Sequence, residues 1–178
     1  RHLDKVLEYP NNKYSEDAML MGAEMAYTAK DYEKALHIYK QLKDKAASME
    51  RRQLAKTGML RSAHMLGNEE EIIFAATDLL ADTKLAPELS NEAHYYRAKA
   101  YLDAGKTDGA MEDLKVLAKD TRNVYGAEAK YKVAQIYFDG GQTDKAEQEV
   151  LNYIEVSTPH TYWLARSFVL LADVYMKL

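Results

Sequence analysis

The sequence contains no cysteine, three prolines, three phenylalanines and one tryptophan among 178 residues. Without cysteine there is no disulfide, no thiolate metal ligand and no cysteine nucleophile, whatever the compartment. Three prolines and eight glycines leave little turn material for a many-stranded β fold. No apolar run approaches the roughly 20 residues that a membrane-spanning helix needs, so this segment is not expected to insert into a membrane. The net charge is −4 and the pI near 5.8, so the basic footprint of a nucleic-acid partner is missing too.

What is present is helix-forming material. Hydrophobic residues at 47% and charged residues at 29% describe a folded chain with a sizeable core. Ala, Leu, Glu, Lys, Gln and Met dominate, and these lose least on entering a helix. Leu3, Val6 and Leu7 recur at helical spacing and stop at Tyr9-Pro10-Asn11-Asn12, as the tail of a helix would. Ser15 is expected to cap the next helix, with Glu16 and Asp17 in its first turn and a narrow face of Ala18, Met19, Gly22, Ala23 and Ala26. Asp31 caps its partner, which carries Tyr32, Ala35, Leu36, Ile38, Tyr39 and Leu42 at the 3.6-residue period.

The pattern then returns. A helix from near Ser48 to Leu66 precedes Gly67, and Asn68 with Glu71 forms a capping box for a helix ending near Ala81. A third pair starts at Pro87 or Ser90, turns at Ala104-Gly105 and resumes with Thr107 as cap. A fourth starts near Asn123, turns at Gly140-Gly141 and resumes at Thr143. A last helix is capped by Ser157 or Thr158, has Pro159 in its first turn and runs to Leu178. The turns fall at Lys30, Gly67, Gly105 and Gly141, which lie 37, 38 and 36 residues apart. A helical hairpin repeated at a fixed period near 37 predicts an α-solenoid. The expected organisation is one array over 1–178. It comprises the end of a preceding repeat (1–12), repeats at 13–46, 47–85, 86–121 and 122–156, and the first helix of a further repeat (157–178). Arg1 opens within a helix and Leu178 has no cap, which predicts a fragment of something longer.

Equivalent residues carry a family resemblance. Ala23, Leu60, Ala98, Ala134 and Ala172 occupy the tight helix crossing, Tyr101, Tyr137 and Tyr175 follow three places on, and Ala35, Ala110 and Ala146 stand early in the second helices. This resembles the tetratricopeptide repeat, and it covers nearly the whole chain. The usual tryptophan is missing, and Lys30 replaces glycine at the first turn. The second repeat has Leu60 and Ile72 where small residues belong, and Ala63 and Ala76 where large ones do, a volume exchange within one layer. The resemblance implies an all-α, right-handed superhelical solenoid of antiparallel hairpins. The joint from Tyr9 to Ala18 is similar to joints in bacterial cell-envelope repeat proteins of the barrel-assembly lipoprotein and Tol-Pal-associated type, which implies a periplasmic or outer-membrane setting.

The resemblance also implies a concave face lined by the first helix of each pair. The corresponding positions are Asp17, Leu20, Glu24 and Tyr27; Leu54, Thr57, Arg61 and His64; Glu92, Tyr95, Lys99 and Leu102; Glu128, Tyr131, Gln135 and Phe138; then Arg166, Val169 and Asp173. The candidate partner-binding set is Tyr27, Arg61, His64, Tyr95, Lys99, Tyr131, Gln135 and Phe138, since aromatics beside arginine are the chemistry of binding hot spots. Taken singly, Tyr95 and Tyr131 read as packing residues; the set reads as a track. The family's clamp for a terminal carboxylate needs Lys and Asn where this chain has Leu20 and Glu24, so a chaperone-tail clamp is not expected.

Other motifs reduce to structure. Ala100 to Thr107 matches a loose phosphate-loop pattern, but Tyr101 and Leu102 continue a helix and Gly105 is its only glycine, so it reads as a repeat turn. The five histidines show no metal spacing, and His37 reads as solvated. Glu69, Glu70 and Glu71 suit the first turn of a helix. Trp163 precedes an apolar stripe of Leu164, Phe168, Leu171, Ala172 and Tyr175 that reads as packing. No catalytic constellation, metal site or cofactor is called for. The expected function is a non-enzymatic scaffold that binds a protein or peptide, with self-association through the open ends as the alternative.

Overall fold

Lys30, Gly67, Gly105 and Gly141 all adopt the left-handed backbone conformation in the computed structural model, with φ of 62°, 64°, 71° and 72°. The structure describes residues 14–177, and among them all regular structure is helical. The helices are α1 (Ser15–Thr28), α2 (Tyr32–Lys45), α3 (Met49–Leu66), α4 (Glu69–Leu80), α5 (Pro87–Asp103), α6 (Thr107–Leu117), α7 (Val124–Asp139), α8 (Thr143–Glu155) and α9 (Thr161–Lys177). The chain is an all-α solenoid of antiparallel hairpins whose turns fall at the four left-handed residues. The stretch of the expected helix tail at 2–9 lies outside the described residues.

Each turn is closed by the same pair of backbone bonds. The left-handed residue donates to the carbonyl three residues back and its successor to the carbonyl five back: Gly67 N to His64 O and Asn68 N to Ala63 O, Gly105 N to Leu102 O and Lys106 N to Tyr101 O, and likewise at Lys30-Asp31 and Gly141-Gln142. These are Schellman closures, which satisfy carbonyls that the ending helix orphans. The successor is also the N-cap of the next helix. Asp31 and Asn68 fill that role with side chains, each accepting from the N–H three residues on at 3.1 Å.

Several caps differ from expectation. Lys106, not Thr107, is the N-cap of α6 and makes no side-chain capping bond, whereas α8 begins at Thr143 as expected, behind an equally uncapped Gln142. Tyr14 is the N-cap of α1, and Ser15 lies inside the helix, again with no side-chain cap. Only half of the Asn68–Glu71 capping box forms: the Asn68 N–H is committed to Ala63 O, and Glu71 is drawn to Lys40 at 2.6 Å. Pro159 lies ahead of α9, because Thr158 is spent on the preceding loop, donating from Oγ1 to Thr121 O at 2.7 Å.

The described chain forms two compact units, 1–96 and 97–178, with α5 running across the division. In the first unit α2 packs on both α1 and α3, α3 packs on α4, and α1 touches α3. In the second, α7 packs on α6 and α8, and α9 on α8 and α7. Within each unit, among the described residues, these contacts run to the next helix or the next but one, the nearest-neighbour logic of a repeat. Ala23, Leu60, Ala98 and Ala134 at the crossing positions are buried, as are Ala35, Ala110 and Ala146 opposite them. Leu60, Ile72, Ala63 and Ala76 are each buried. Gly58 adds a close approach: a Cβ there would stand 2.4 Å from the Tyr39 ring, so α3 can seat against Tyr39 only with glycine.

A cation on a first helix clasps an acid on, or just beyond, the second helix of the same pair. Lys56 Nζ lies 2.6 Å from Asp82 and 3.1 Å from Asp78, Arg97 grips the buried Asp113 through two bonds of 2.9 and 2.7 Å, and Lys130 meets Glu149 at 2.6 Å. Burial pushes the Asp78 carboxyl upward, but hydrogen bonds from Lys56 and Lys43 outweigh it and hold the group below the usual carboxylate range.

The apolar stripe of α9 is rotated from its expected position. Ser167, Leu170 and Val174 are buried, with Trp163 and Leu171 packed partly against the Tyr131–Val150 core, whereas Phe168 and Tyr175 are half exposed and Ala172 is exposed. Ser167 tolerates burial because its hydroxyl donates back to Trp163 O at 2.9 Å.

Candidate partner-binding surface

In the first unit, α1 and α3 bring Tyr27 and Arg61 to one cleft of about 250 Å³, with Leu20, Glu24 and Leu54 as further walls and Tyr39 and Gly58 in its lining. Arg61 is committed: its Nε and Nη2 each donate to Glu92 at 2.8 Å, a two-bond fork that raises the guanidinium pKa and cancels its charge. Burial, then the neighbouring Tyr32, pushes the Tyr27 phenol upward, so the ring meets a partner as a neutral hydrogen-bonding group. His64 stacks on Tyr96 with ring centroids 4.0 Å apart, and Tyr95 leans on Tyr96 at 5.9 Å. On the same helices Arg51 bridges Asp17 at 2.6 Å, and the Glu16 carboxylate on α1 accepts from Ala47 N in the loop before α3 at 3.2 Å.

In the second unit, Tyr131 and Gln135 belong to a directed hydrogen-bond chain. Arg166 donates to the Tyr131 hydroxyl at 3.0 Å, Tyr131 to Gln135 Oε1 at 2.7 Å, and Gln135 to Asp139 at 2.9 Å. The Arg166 guanidinium lies over the Tyr131 and Tyr162 rings, 4.9 and 5.9 Å from their centroids. The Tyr131 ring itself is buried against Trp163 and Leu170 and offers only its hydroxyl edge, in keeping with the packing reading of that residue taken alone. Phe138 packs on the same core and carries Lys177 over its face at 3.9 Å. Lys99 is exposed on α5.

The structure places seven of the eight expected residues in two local groups, with Lys99 outside both. Tyr27 with Arg61 and His64 with Tyr95 lie in the first, Tyr131 with Gln135 and Phe138 in the second. Tyr39, Gly58, Tyr96, Tyr162 and Trp163 contribute contacts that were not part of the set. Complementary partners on successive first helices, 34, 31 and 35 residues apart, were a further signal: Asp17 with Arg51, Arg61 with Glu92, and Tyr131 with Arg166. The phosphate-loop-like stretch is a Schellman turn between α5 and α6 with no strand before it, and His37 is exposed on α2 beside Gln41. Among the described residues no group of three or more His, Asp or Glu is placed to hold a metal ion, and no helix is long and apolar enough to cross a membrane.

Two likenesses accord with the stacked hairpins and their small-residue crossing. Residues 92–120 match the tetratricopeptide repeat family model. The whole fold is similar to the crystal structure of nearly identical TPR-like repeats of a Podosopora anserina protein described as a kinesin light chain, at 17% identity and a TM-score of 0.59, covering 93% of this chain and 88% of that one. A single-substitution form of that same protein gives a TM-score of 0.60 over the same shares. No curated protein matches the chain. Tetratricopeptide repeats in general mediate protein–protein interaction.

Proposed function

We propose that the chain is one continuous repeat array, not an enzyme, that binds an extended or helical segment of another protein along its first-helix, concave face. The observation that carries this reading is the state of that face: neighbouring first helices are tied by Arg61–Glu92, Arg51–Asp17 and Arg166–Tyr131, while Leu54 and Val169 on the same helices remain 54% and 64% exposed. Polar ties fix the helices before a partner arrives, so little ordering entropy is lost on binding, and the exposed apolar residues supply the contact. The periplasmic or outer-membrane setting rests on the Tyr9–Ala18 joint alone; the comparisons give it no support, and it forms no part of the proposal.

The test is affinity capture with the wild type and with Leu54→Ser/Tyr27→Ala, each checked for unchanged helicity. A partner retained by the wild type and lost by the variant is the expected result; equal recovery by both would refute the assignment of the face. Self-association is a second reading, favoured by the half-exposed Phe168 and Tyr175 and by Met176, 77% exposed, on α9. Sedimentation of the wild type against Phe168→Ser/Tyr175→Ser separates it: a dimer abolished by the pair supports end contact, and a monomer at all concentrations refutes it.

A further inference from the structure

The cleft between α1 and α3 has an unequal charge balance. Its one cation, Arg61, is neutralised by the two-bond fork to Glu92, and Asp17, on the same helix as Glu24, is paired with Arg51. Glu24 is exposed, and among the described residues no side chain pairs with its carboxylate; only its backbone carbonyl is engaged, by the Thr28 hydroxyl at 2.8 Å. The cleft therefore carries one uncompensated negative charge beside apolar walls from Leu20 and Leu54 and the rings of Tyr27 and Tyr39. At about 250 Å³ it is smaller than the roughly 300–1,000 Å³ of sites that enclose a drug-sized ligand, and it suits one long side chain of a docked segment.

Resting on the binding reading above, we infer that this cleft selects a partner segment carrying a basic side chain, whose apolar stem lies between Leu20, Leu54 and Tyr27 while its cationic head meets Glu24. Arginine and lysine have this divided character, an aliphatic stem that prefers an apolar wall and a head that must stay solvated or paired. The aromatic rings add a face for the cation. An acidic residue would meet Glu24 unscreened, and a neutral aliphatic residue would fill the walls and leave the carboxylate without a partner.

The probe is a set of dye-labelled peptides, capped at both ends, with leucine on either side of a variable residue that is arginine, lysine, norleucine or glutamate. Anisotropy titrations are run on the wild type, Glu24→Gln, Glu24→Lys and Leu54→Ser. The arginine and lysine peptides are expected to bind the wild type about tenfold more tightly than the norleucine peptide, as a charge-assisted contact warrants. That advantage disappears in Glu24→Gln, passes to the glutamate peptide in Glu24→Lys, and all binding weakens in Leu54→Ser. An arginine advantage that survives in Glu24→Gln overturns the inference. Equal binding of all four peptides that is still lost in Leu54→Ser also overturns it while leaving the binding face intact, and no binding of any peptide refutes both.

Discussion

Lys30 is the one described residue other than glycine with positive φ, at 62°, and it stands where the other repeats place Gly67, Gly105 and Gly141. Its side chain is exposed, and among the described residues it makes no hydrogen bond or ion pair that would repay the conformation. A left-handed non-glycine residue is strained by about 1–2 kcal/mol. Substituting glycine relieves that strain but loosens the unfolded chain by about 0.4–1 kcal/mol. Lys30→Gly should therefore stabilise by about 0.5–1 kcal/mol. The reverse experiment is equally clean, because a Cβ at Gly67, Gly105 or Gly141 meets nothing within 4 Å. Gly105→Ala should lose about 1 kcal/mol from backbone strain alone, without a steric clash. In a chain of this size 1 kcal/mol moves Tm by about 2–4 °C, within reach of calorimetry. Amide exchange at Asp31 and Lys106, which donate the second bond of their turns, localises the effect. A Lys30→Gly variant that melts at or below the wild type, or a Gly105→Ala variant that melts with it, would refute the assignment of these turns as strained at one residue.

Three further outcomes follow from the same geometry. Lys106→Asp and Gln142→Asp place a capping acceptor where none exists, and each should raise stability by about 1 kcal/mol in urea denaturation, whereas Thr107→Ala should not show the loss of a cap. Because the folded Asp78 carboxyl is depressed, its contribution is present above the unfolded value near 3.9 and is lost as pH falls through the lower folded value. Asp78→Asn should accordingly be less stable than the wild type at pH 7 and converge with it in acid, which urea midpoints taken from pH 7 to pH 2 will show. Gly58→Ala forces the buried Tyr39 ring to move and should lower stability by about 1–3 kcal/mol, with altered tyrosine fluorescence.

Much of the fold was legible because the repeat states its turns four times. The left-handed positions are readable as glycine or its substitute at a period near 37, and Asp31 and Asn68 mark the caps that follow. Thr107 misleads by one residue, since in a Schellman turn the residue directly after the glycine is already the N-cap, even when it is Lys106 and cannot cap. The buried face of α9 was harder for a different reason. Trp163, Leu164, Phe168, Val169, Leu170, Leu171, Val174, Tyr175 and Met176 are apolar around most of its circumference, so periodicity does not single out one stripe. The candidate face was legible as a set of positions but not as a charge pattern. That Arg61 is neutralised and Glu24 is not depends on which side chains meet between helices, and the sequence does not state those meetings.

The central claim is that the first-helix face receives another polypeptide. Its most direct test is site-specific photo-crosslinking, with the reactive residue placed in turn at Leu54 on α3, Val169 on α9, His37 on α2 and Leu151 on α8, all exposed. Adducts with a second protein at Leu54 and Val169, and none at His37 and Leu151, are the predicted result. Adducts confined to His37 and Leu151, or formed with further copies of this chain alone, would contradict it.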